Sequence, residues 1–359
     1  MKVALVYDRV NKWGGAERVI IALRKIFPDS VLFTSVYKQD KASWAKKIKV
    51  IPSFLQKIPF AQTHHEALGL LMPLAFESLN FDDYDLVISV TSEAAKGLIT
   101  KPKTKHISII LTPTRYLWSG YRDYFSNEIF RVLTFPVVLY LRFWDKIAAF
   151  RPDNLVAISS TVQSRIKKYY DLDSEIIYPP FMIRTRRPKI GDPRSKDRNY
   201  FLVVSRLVPY KRVDIAVRAA NAAKVRLIVI GTGNEYANLK KMAGPTIKFL
   251  NYVSDSELKY FYSNCRALIF PGVEDFGLTM VEAQAFGKPV IAYRAGGAEE
   301  IVIEGKTGHF FDKQNPAALA RILKSFRPGR YNTNECRKNA RRFSYEQFAQ
   351  KLNKIIYAE

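Results

Sequence analysis

Short apolar runs alternate along the chain with segments whose apolar residues recur every three or four positions, and this alternation occurs twice. Val3–Tyr7 is a continuous apolar run of strand length, and beyond Gly14 and Gly15 the residues Val19, Ile20, Leu23 and Ile26 fall on one helical face. Further strand-like runs follow at 31–35, 86–90, 107–111 and 154–158, with helical segments between several of them. Strands alternating with helices predict a parallel sheet covered on both faces. Residues 179–198 are rich in Pro and Arg and lack any period, so they read as a linker. A second alternation then begins. Strands are predicted at 200–204, 226–230, 247–250, 267–270 and 290–292, with helices at 215–223, 255–264 and 279–286. In the last segment, Phe348, Leu352, Ile355 and Ile356 mark a helix with one buried face over 344–357. The expected organisation is a first domain over 1–182, a second over 183–343, and a terminal helix over 344–359.

A length of 359 residues suits two domains of ordinary size. The charge changes the picture more: 57 Lys+Arg against 33 Asp+Glu give a formal +24, which favours polyanionic partners such as nucleic acid, anionic lipid or a diphosphate ligand. Only Cys265 and Cys336 occur, with no paired spacing, so neither a disulfide framework nor a zinc site is expected. Asp8 and Arg9 interrupt the first apolar run, a strand pattern and not that of a secretory leader. The apolar stretch 132–141 contains Pro136 and is shorter than the ~20 residues a membrane span needs. A cytoplasmic protein is expected, one that touches a membrane without crossing it.

Several places carry candidate chemistry. Gly14 and Gly15 open a helix, where bare amides and the helix dipole suit an anion; the bland alternative is a tight strand-to-helix turn. Arg206 and Lys211 follow a predicted strand, so they would stand at its carboxyl end, where open α/β sheets bind ligands. Two fixed cations there can stabilise a departing nucleotide diphosphate, unless they form only a solvated basic turn. In the run 270–282, a strand ends, Glu274 occupies a loop and a helix begins after Gly277, so the amides of Phe276, Gly277, Leu278 and Thr279 can face phosphate or sugar oxygens, and Glu282 a ribose. The glycine turns Gly231-Thr232-Gly233 and Gly296-Gly297 follow strands in the same way. Between 38 and 79, six lysines mix with Trp44, Phe54, Phe60, Leu70 and Phe76, as in an interfacial membrane patch or in core helices with basic outer faces. His64 and His65 lack zinc spacing and read as structural or acceptor-side groups.

With these residues in view, the chain resembles glycosyltransferase family 4 over nearly its whole length. Ser205 to Asp214, Gly231-Thr232-Gly233, Glu274 to Glu282, Gly287 to Val290, and Gly296-Gly297 with Glu300 occur in that family's order. Through Met72 to Glu77, Thr112 to Trp118 and Arg206 to Arg212 it looks most like bacterial mannosyltransferases of polysaccharide and O-antigen assembly. The resemblance implies an α/β protein of GT-B fold, two Rossmann-like doubly wound parallel-sheet domains facing a central cleft, with the last helix returning to the first domain. It implies a retaining, metal-independent hexosyltransferase without cofactor that uses a nucleotide-sugar donor, first of all GDP-mannose, and a lipid-linked saccharide acceptor at the anionic inner face of the cell membrane. Arg206 and Lys211 would hold the diphosphate, Glu274 the transferred sugar and Glu282 the ribose, with Gly231 also on the donor side. Gly14 and Gly15 would face the phosphates and the acceptor, and Arg115, Tyr116 and Trp118 the acceptor. Leu111 departs from the pattern: relatives commonly carry a histidine there that contacts the donor sugar near its sixth carbon, which opens the alternative of a 6-deoxysugar donor. A UDP-sugar donor, a nucleotide-sugar epimerase and a polyanion-binding protein remain alternatives, although no nucleic-acid recognition motif is visible.

Overall fold

The structure, a computed structural model, describes residues 1–62, 65–125, 127–182 and 199–358. The chain divides into two compact units, Met1–Pro180 with Phe348–Glu359, and Phe181–Gln347. Most of the predicted linker, 183–198, lies outside the described residues.

The first unit is built on seven strands: β1 (Val3–Tyr7), β2 (Val31–Thr34), β3 (Val50–Pro52), β4 (Leu86–Thr91), β5 (Lys105–Ile110), β6 (Asn154–Ala157) and β7 (Glu175–Ile176). They pair in parallel in the order β3-β2-β1-β4-β5-β6-β7. Every residue of β1 and β4 is buried, as a sheet covered on both faces requires. The chain ends by packing the helix Tyr345–Ile356 onto this unit through Phe348, Leu352, Ile355 and Ile356. Lys105 Nζ donates to the carbonyls of Ile355 and Ile356 at 2.7 and 3.0 Å, placing a cation on the negative end of that helix.

The second unit holds six parallel strands: β8 (Phe201–Val204), β9 (Leu227–Ile230), β10 (Ile247–Leu250), β11 (Leu268–Phe270), β12 (Val290–Tyr293) and β13 (Gly308–Phe311). Their order is β10-β9-β8-β11-β12-β13. Its main core lies where the helices Val213–Ala223 and Pro316–Ser325 cover the sheet, through Ile215, Val217 and Ala220 against Leu319 and Leu323. Each unit is thus a doubly wound α/β domain whose strand order reverses once, between β1 and β4 in the first and between β8 and β11 in the second. Those two crevices are where such sheets bind ligands.

One buried group on β5 carries a pH prediction. His106 is fully buried with Nε2 2.9 Å from Ser89 Oγ and no partner at Nδ1, and burial pushes its pKa from 6.5 down to about 3. The unfolded chain therefore binds a proton below pH 6.5 that the folded chain refuses until about pH 3. Stability is fully present above pH 6.5 and falls as the pH drops through this window by several kcal/mol. Urea titrations at pH 7 and pH 4.5 check this, and His106→Gln should flatten the slope.

Candidate active site

The loop after β8 is fixed by its neighbours. Ser205 and Leu207 donate their amides to the carbonyls of Ile230 and Thr232 at 3.0 and 2.8 Å, and Glu235 returns one to Leu207. The turn Pro209–Lys211 then feeds the helix Val213–Ala223 through Arg212, held in the left-handed region at φ 51°. Glycines let four loops close on one another. A Cβ on Gly231 (φ +148°) would stand 1.8 Å from the Ser205 carbonyl oxygen, and one on Gly296 (φ +62°) would stand 2.5 Å from that of Glu274. Gly272 likewise passes 2.8 Å from the Lys211 carbonyl by the same measure. The loops after β8, β9, β11 and β12 therefore meet backbone to backbone at one end of the sheet. Gly231→Ala and Gly296→Ala should each lower stability by about 1–3 kcal/mol in thermal unfolding, through backbone displacement and positive-φ strain.

This packing brings together three of the residues singled out from sequence. Lys211 Nζ contacts Glu274 Oε1 directly, the lysine side chain 9% and the glutamate 28% exposed. Arg206 is exposed beside them and donates from its guanidinium to the Tyr210 hydroxyl, while Arg206 and Lys211 stand 5.9 and 5.0 Å from the Tyr210 ring centre. Lys211 pairs with Glu274, and Arg206 adds an exposed cation on the same Tyr210 ring, a charge of the sign that a leaving diphosphate requires. The loop then carries Phe276, whose buried ring packs on Phe343 at 5.4 Å, and Gly277 (φ +104°) begins the helix Leu278–Ala285 with Leu278 and Thr279 in its first turn. Two residues sit differently. The Gly231 amide donates to the Leu250 carbonyl at 2.9 Å, so this glycine acts through close packing. Glu282 is 1% exposed and accepts from the Tyr262 hydroxyl at 2.7 Å, so a ribose contact would have to share that carboxylate.

In the first unit, Gly14 and Gly15 open the helix Gly15–Ile26. Glu17, buried in its first turn, accepts from the Tyr7 hydroxyl at 2.7 Å and brings a carboxylate against Gly14, an arrangement more suited to hydroxyl donors than to a phosphate. Sequence reading missed the groups beside it at the β1–β4 crevice. Asp8 accepts from Thr91 Oγ1 and from the amides of Ser92, Ala94 and Ala95 at 2.6–3.1 Å, and Arg9 pairs with Glu93 at 2.8 Å. Burial raises the Glu93 carboxyl while Arg9 pulls it back down. The available signal was Asp8-Arg9 breaking the β1 run and Ser92-Glu93 following β4.

Leu111 stands half-buried immediately after β5, its amide on the Thr91 carbonyl. The residues after it are organised by a group the sequence did not flag, Asp145 of the helix Glu128–Ala149. Asp145 receives Lys96 Nζ at 2.5 Å, Thr114 Oγ1 at 2.8 Å, and Trp118 Nε1 and the Tyr170 hydroxyl at 2.7 Å each. The Trp118 indole, stacked on Tyr169 at 5.1 Å, is thus committed to the fold of its own unit. Tyr116 lies half-buried near this cluster, and burial, with Glu93 and Asp145, holds its hydroxyl neutral far above the usual tyrosine range. Arg115 is half-buried in the same loop. His64 lies outside the described residues, and of His65 the structure describes only its place in the turn His65–Leu71.

Residues 186–343 match the family of glycosyl transferases group 1. An uncharacterized glycosyltransferase of Methanocaldococcus jannaschii is 28% identical over 237 residues, 60% of this chain and 62% of the relative. The O-antigen chain mannosyltransferase of Salmonella typhimurium is 29% identical over 46% of this chain and 49% of its own length. The chain therefore spans less than two thirds of either relative. Among solved structures, HepE of Anabaena in complex with UDP-glucose superposes with a TM-score of 0.74 at 20% identity, covering 100% of both chains. The chain thus has the GT-B fold, two parallel-sheet α/β domains, and its match to group 1 glycosyl transferases lies within the second of them.

Proposed function

We propose that the chain is a retaining glycosyltransferase that moves a sugar, first of all mannose from GDP-mannose, onto a lipid-linked saccharide of cell-surface polysaccharide. The observation that carries this is the cluster of Arg206, Lys211 and Glu274 at the crevice of the second unit, held by glycine-packed loops within the region that matches group 1 glycosyltransferases. The two cations stabilise the charge that grows on the diphosphate as the bond from its oxygen to the sugar's C1 breaks, the part a divalent metal plays elsewhere. The acceptor hydroxyl forms the new bond to C1 on the same face, and its proton passes to the departing phosphate. Glu274, paired to Lys211, orients the sugar hydroxyls. The similarity to an O-antigen mannosyltransferase supports the choice of mannose, and no helix among the described residues is long and apolar enough to cross a membrane, which suits attachment at the inner face.

Donor choice is tested by following release of GDP or UDP from GDP-mannose, GDP-fucose, UDP-glucose and UDP-galactose in the presence of membrane extract as acceptor. Turnover of GDP-mannose well above the rest supports the reading, and selective turnover of a UDP-sugar replaces the donor while keeping the mechanism. Leu111 adds a specific expectation, since a leucine cannot hydrogen-bond a 6-hydroxyl. If the donor is a 6-deoxysugar, GDP-fucose outperforms GDP-mannose, and Leu111→His should shift preference toward the hexose by about tenfold.

A further inference from the structure

The helix Glu128–Ala149 packs one face inward through Val138, Leu141, Trp144 and Ala148. Its other face is also apolar and exposed: Ile129, Leu133, Pro136, Tyr140, Phe143 and Ile147, spaced three and four apart, are open, Leu133 at 72% and Phe143 at 67%. A helix bordering water carries polar residues on that side, so an apolar stripe of about five turns marks a surface made for contact. The stripe has neighbours. Trp144 Nε1 donates to Glu77 Oε1 at 2.7 Å and Arg151 pairs with Glu77 at 2.7 Å, tying this helix to the segment before β4. Leu55, Ala61 and Ala75 share one core cluster with Trp144 and Ala148, while Phe54, Phe60 and Leu74, adjacent in the chain to these buried positions, are exposed. The stretch 38–57 that leads into this region carries six lysines against Asp40 alone, and Lys41, Lys46, Lys47, Lys49 and Lys57 are exposed.

We infer that this face docks on an anionic lipid surface, with the helix Glu128–Ala149 lying in the interface and the lysines of 38–57 meeting the headgroups. Apolar side chains along one face of a helix, with cations on an adjoining segment, match the boundary between acyl chains and anionic headgroups. A second copy fits worse, because it would bring the same basic segment twice to one assembly without adding acidic partners for it. The patch extends the apolar and basic character of residues 38–79 to a helix that sequence reading had examined only as too short to span a bilayer. The inference rests on the proposed membrane-borne acceptor for its purpose, but its test requires no sugar transfer.

The full chain is sedimented with vesicles of phosphatidylcholine alone and of phosphatidylcholine with about a third phosphatidylglycerol, at low and high salt. The wild type should partition strongly to the anionic vesicles. Leu133→Glu with Phe143→Glu should lower partitioning about tenfold or more on either vesicle. Lys46→Glu with Lys47→Glu should lower it about tenfold on the anionic vesicles, and far less at high salt. All these positions are exposed, so unchanged melting temperatures show that the variants fold. A wild type left in the supernatant, or an apolar double variant that binds as the wild type does, overturns the inference. A dimer dissolved by Leu133→Glu with Phe143→Glu, without vesicle binding, overturns it in favour of a second copy. Nucleotide-induced stabilisation of the same preparations reports the donor site separately, so failure of lipid docking and failure of the transferase reading are told apart.

Discussion

Lys211→Ala is expected to lower kcat/KM for the nucleotide-sugar donor by about 10²–10³-fold, the usual cost of removing one fixed group that stabilises charge developing on a leaving oxygen. The Lys211 side chain is largely buried and aimed at Glu274, so its ammonium is held in place before any donor arrives. A preorganised cation in a crevice does not have to be reoriented as the diphosphate departs, which is why its loss appears in the rate. Stability should change by only about 1 kcal/mol, because Glu274 remains partly exposed and can be solvated once its partner is gone. Lys211→Arg should recover part of the rate, since the charge persists but the wider guanidinium meets Glu274 and the Tyr210 ring differently. Arg206→Ala should both raise KM for the donor and lower kcat, since the same cation meets the bound diphosphate and the charge that grows on it. Nucleoside diphosphate release measured for these variants beside their melting temperatures separates lost chemistry from lost fold.

The largest effect on stability is expected at Asp145. Its carboxylate and the Lys96 ammonium are 1% and 2% exposed, and three further donors, from Thr114, Trp118 and Tyr170, converge on the same two oxygens. Asp145→Asn keeps the shape but leaves the Lys96 charge buried without its counter-ion, a change worth about 3–5 kcal/mol. Restoring neutrality with Lys96→Met in the same chain should recover a substantial part, because the pair is coupled and its uncompensated half is then absent. Urea unfolding of the two single variants and the double variant gives the coupling directly. Trp118 fluorescence should respond in Asp145→Asn, since the indole loses the charge on its acceptor.

The doubly wound plan was legible because its central strands are buried on both faces and so read as unbroken apolar runs, as β1, β4 and β9 do. Elements without that signature were passed over. β3 is three half-buried residues ending in Pro52 at the sheet edge, β7 is two residues, and β13 begins with Gly308 and His309. The helix Glu128–Ala149 is apolar on both its inner and outer faces, so no amphipathic period separates it from a buried run, and Pro136 within it argues against a helix. At the site, Arg206, Lys211 and Glu274 were legible because each follows a predicted strand end, and the structure brings the lysine and glutamate into contact. Asp145 was not legible. It lies far in sequence from Lys96, Thr114 and Tyr170, and only the order β4-β5-β6 brings their elements side by side. Glu282, read from its place near the start of the helix after Gly277 as a ribose contact, also accepts from the Tyr262 hydroxyl, a partner no spacing along the chain announces.

The central claim is that the crevice of the second unit binds a nucleoside diphosphate through Arg206 and Lys211. The most direct measurement is thermal unfolding of the full chain with GDP, UDP, ADP and dTDP. A ligand at about a hundred times its dissociation constant adds ~2.7 kcal/mol to the folded state. A selective shift with GDP is expected, one that Arg206→Ala and Lys211→Ala each abolish. Melting temperatures unmoved by every nucleotide, or a shift that both variants retain, would contradict it.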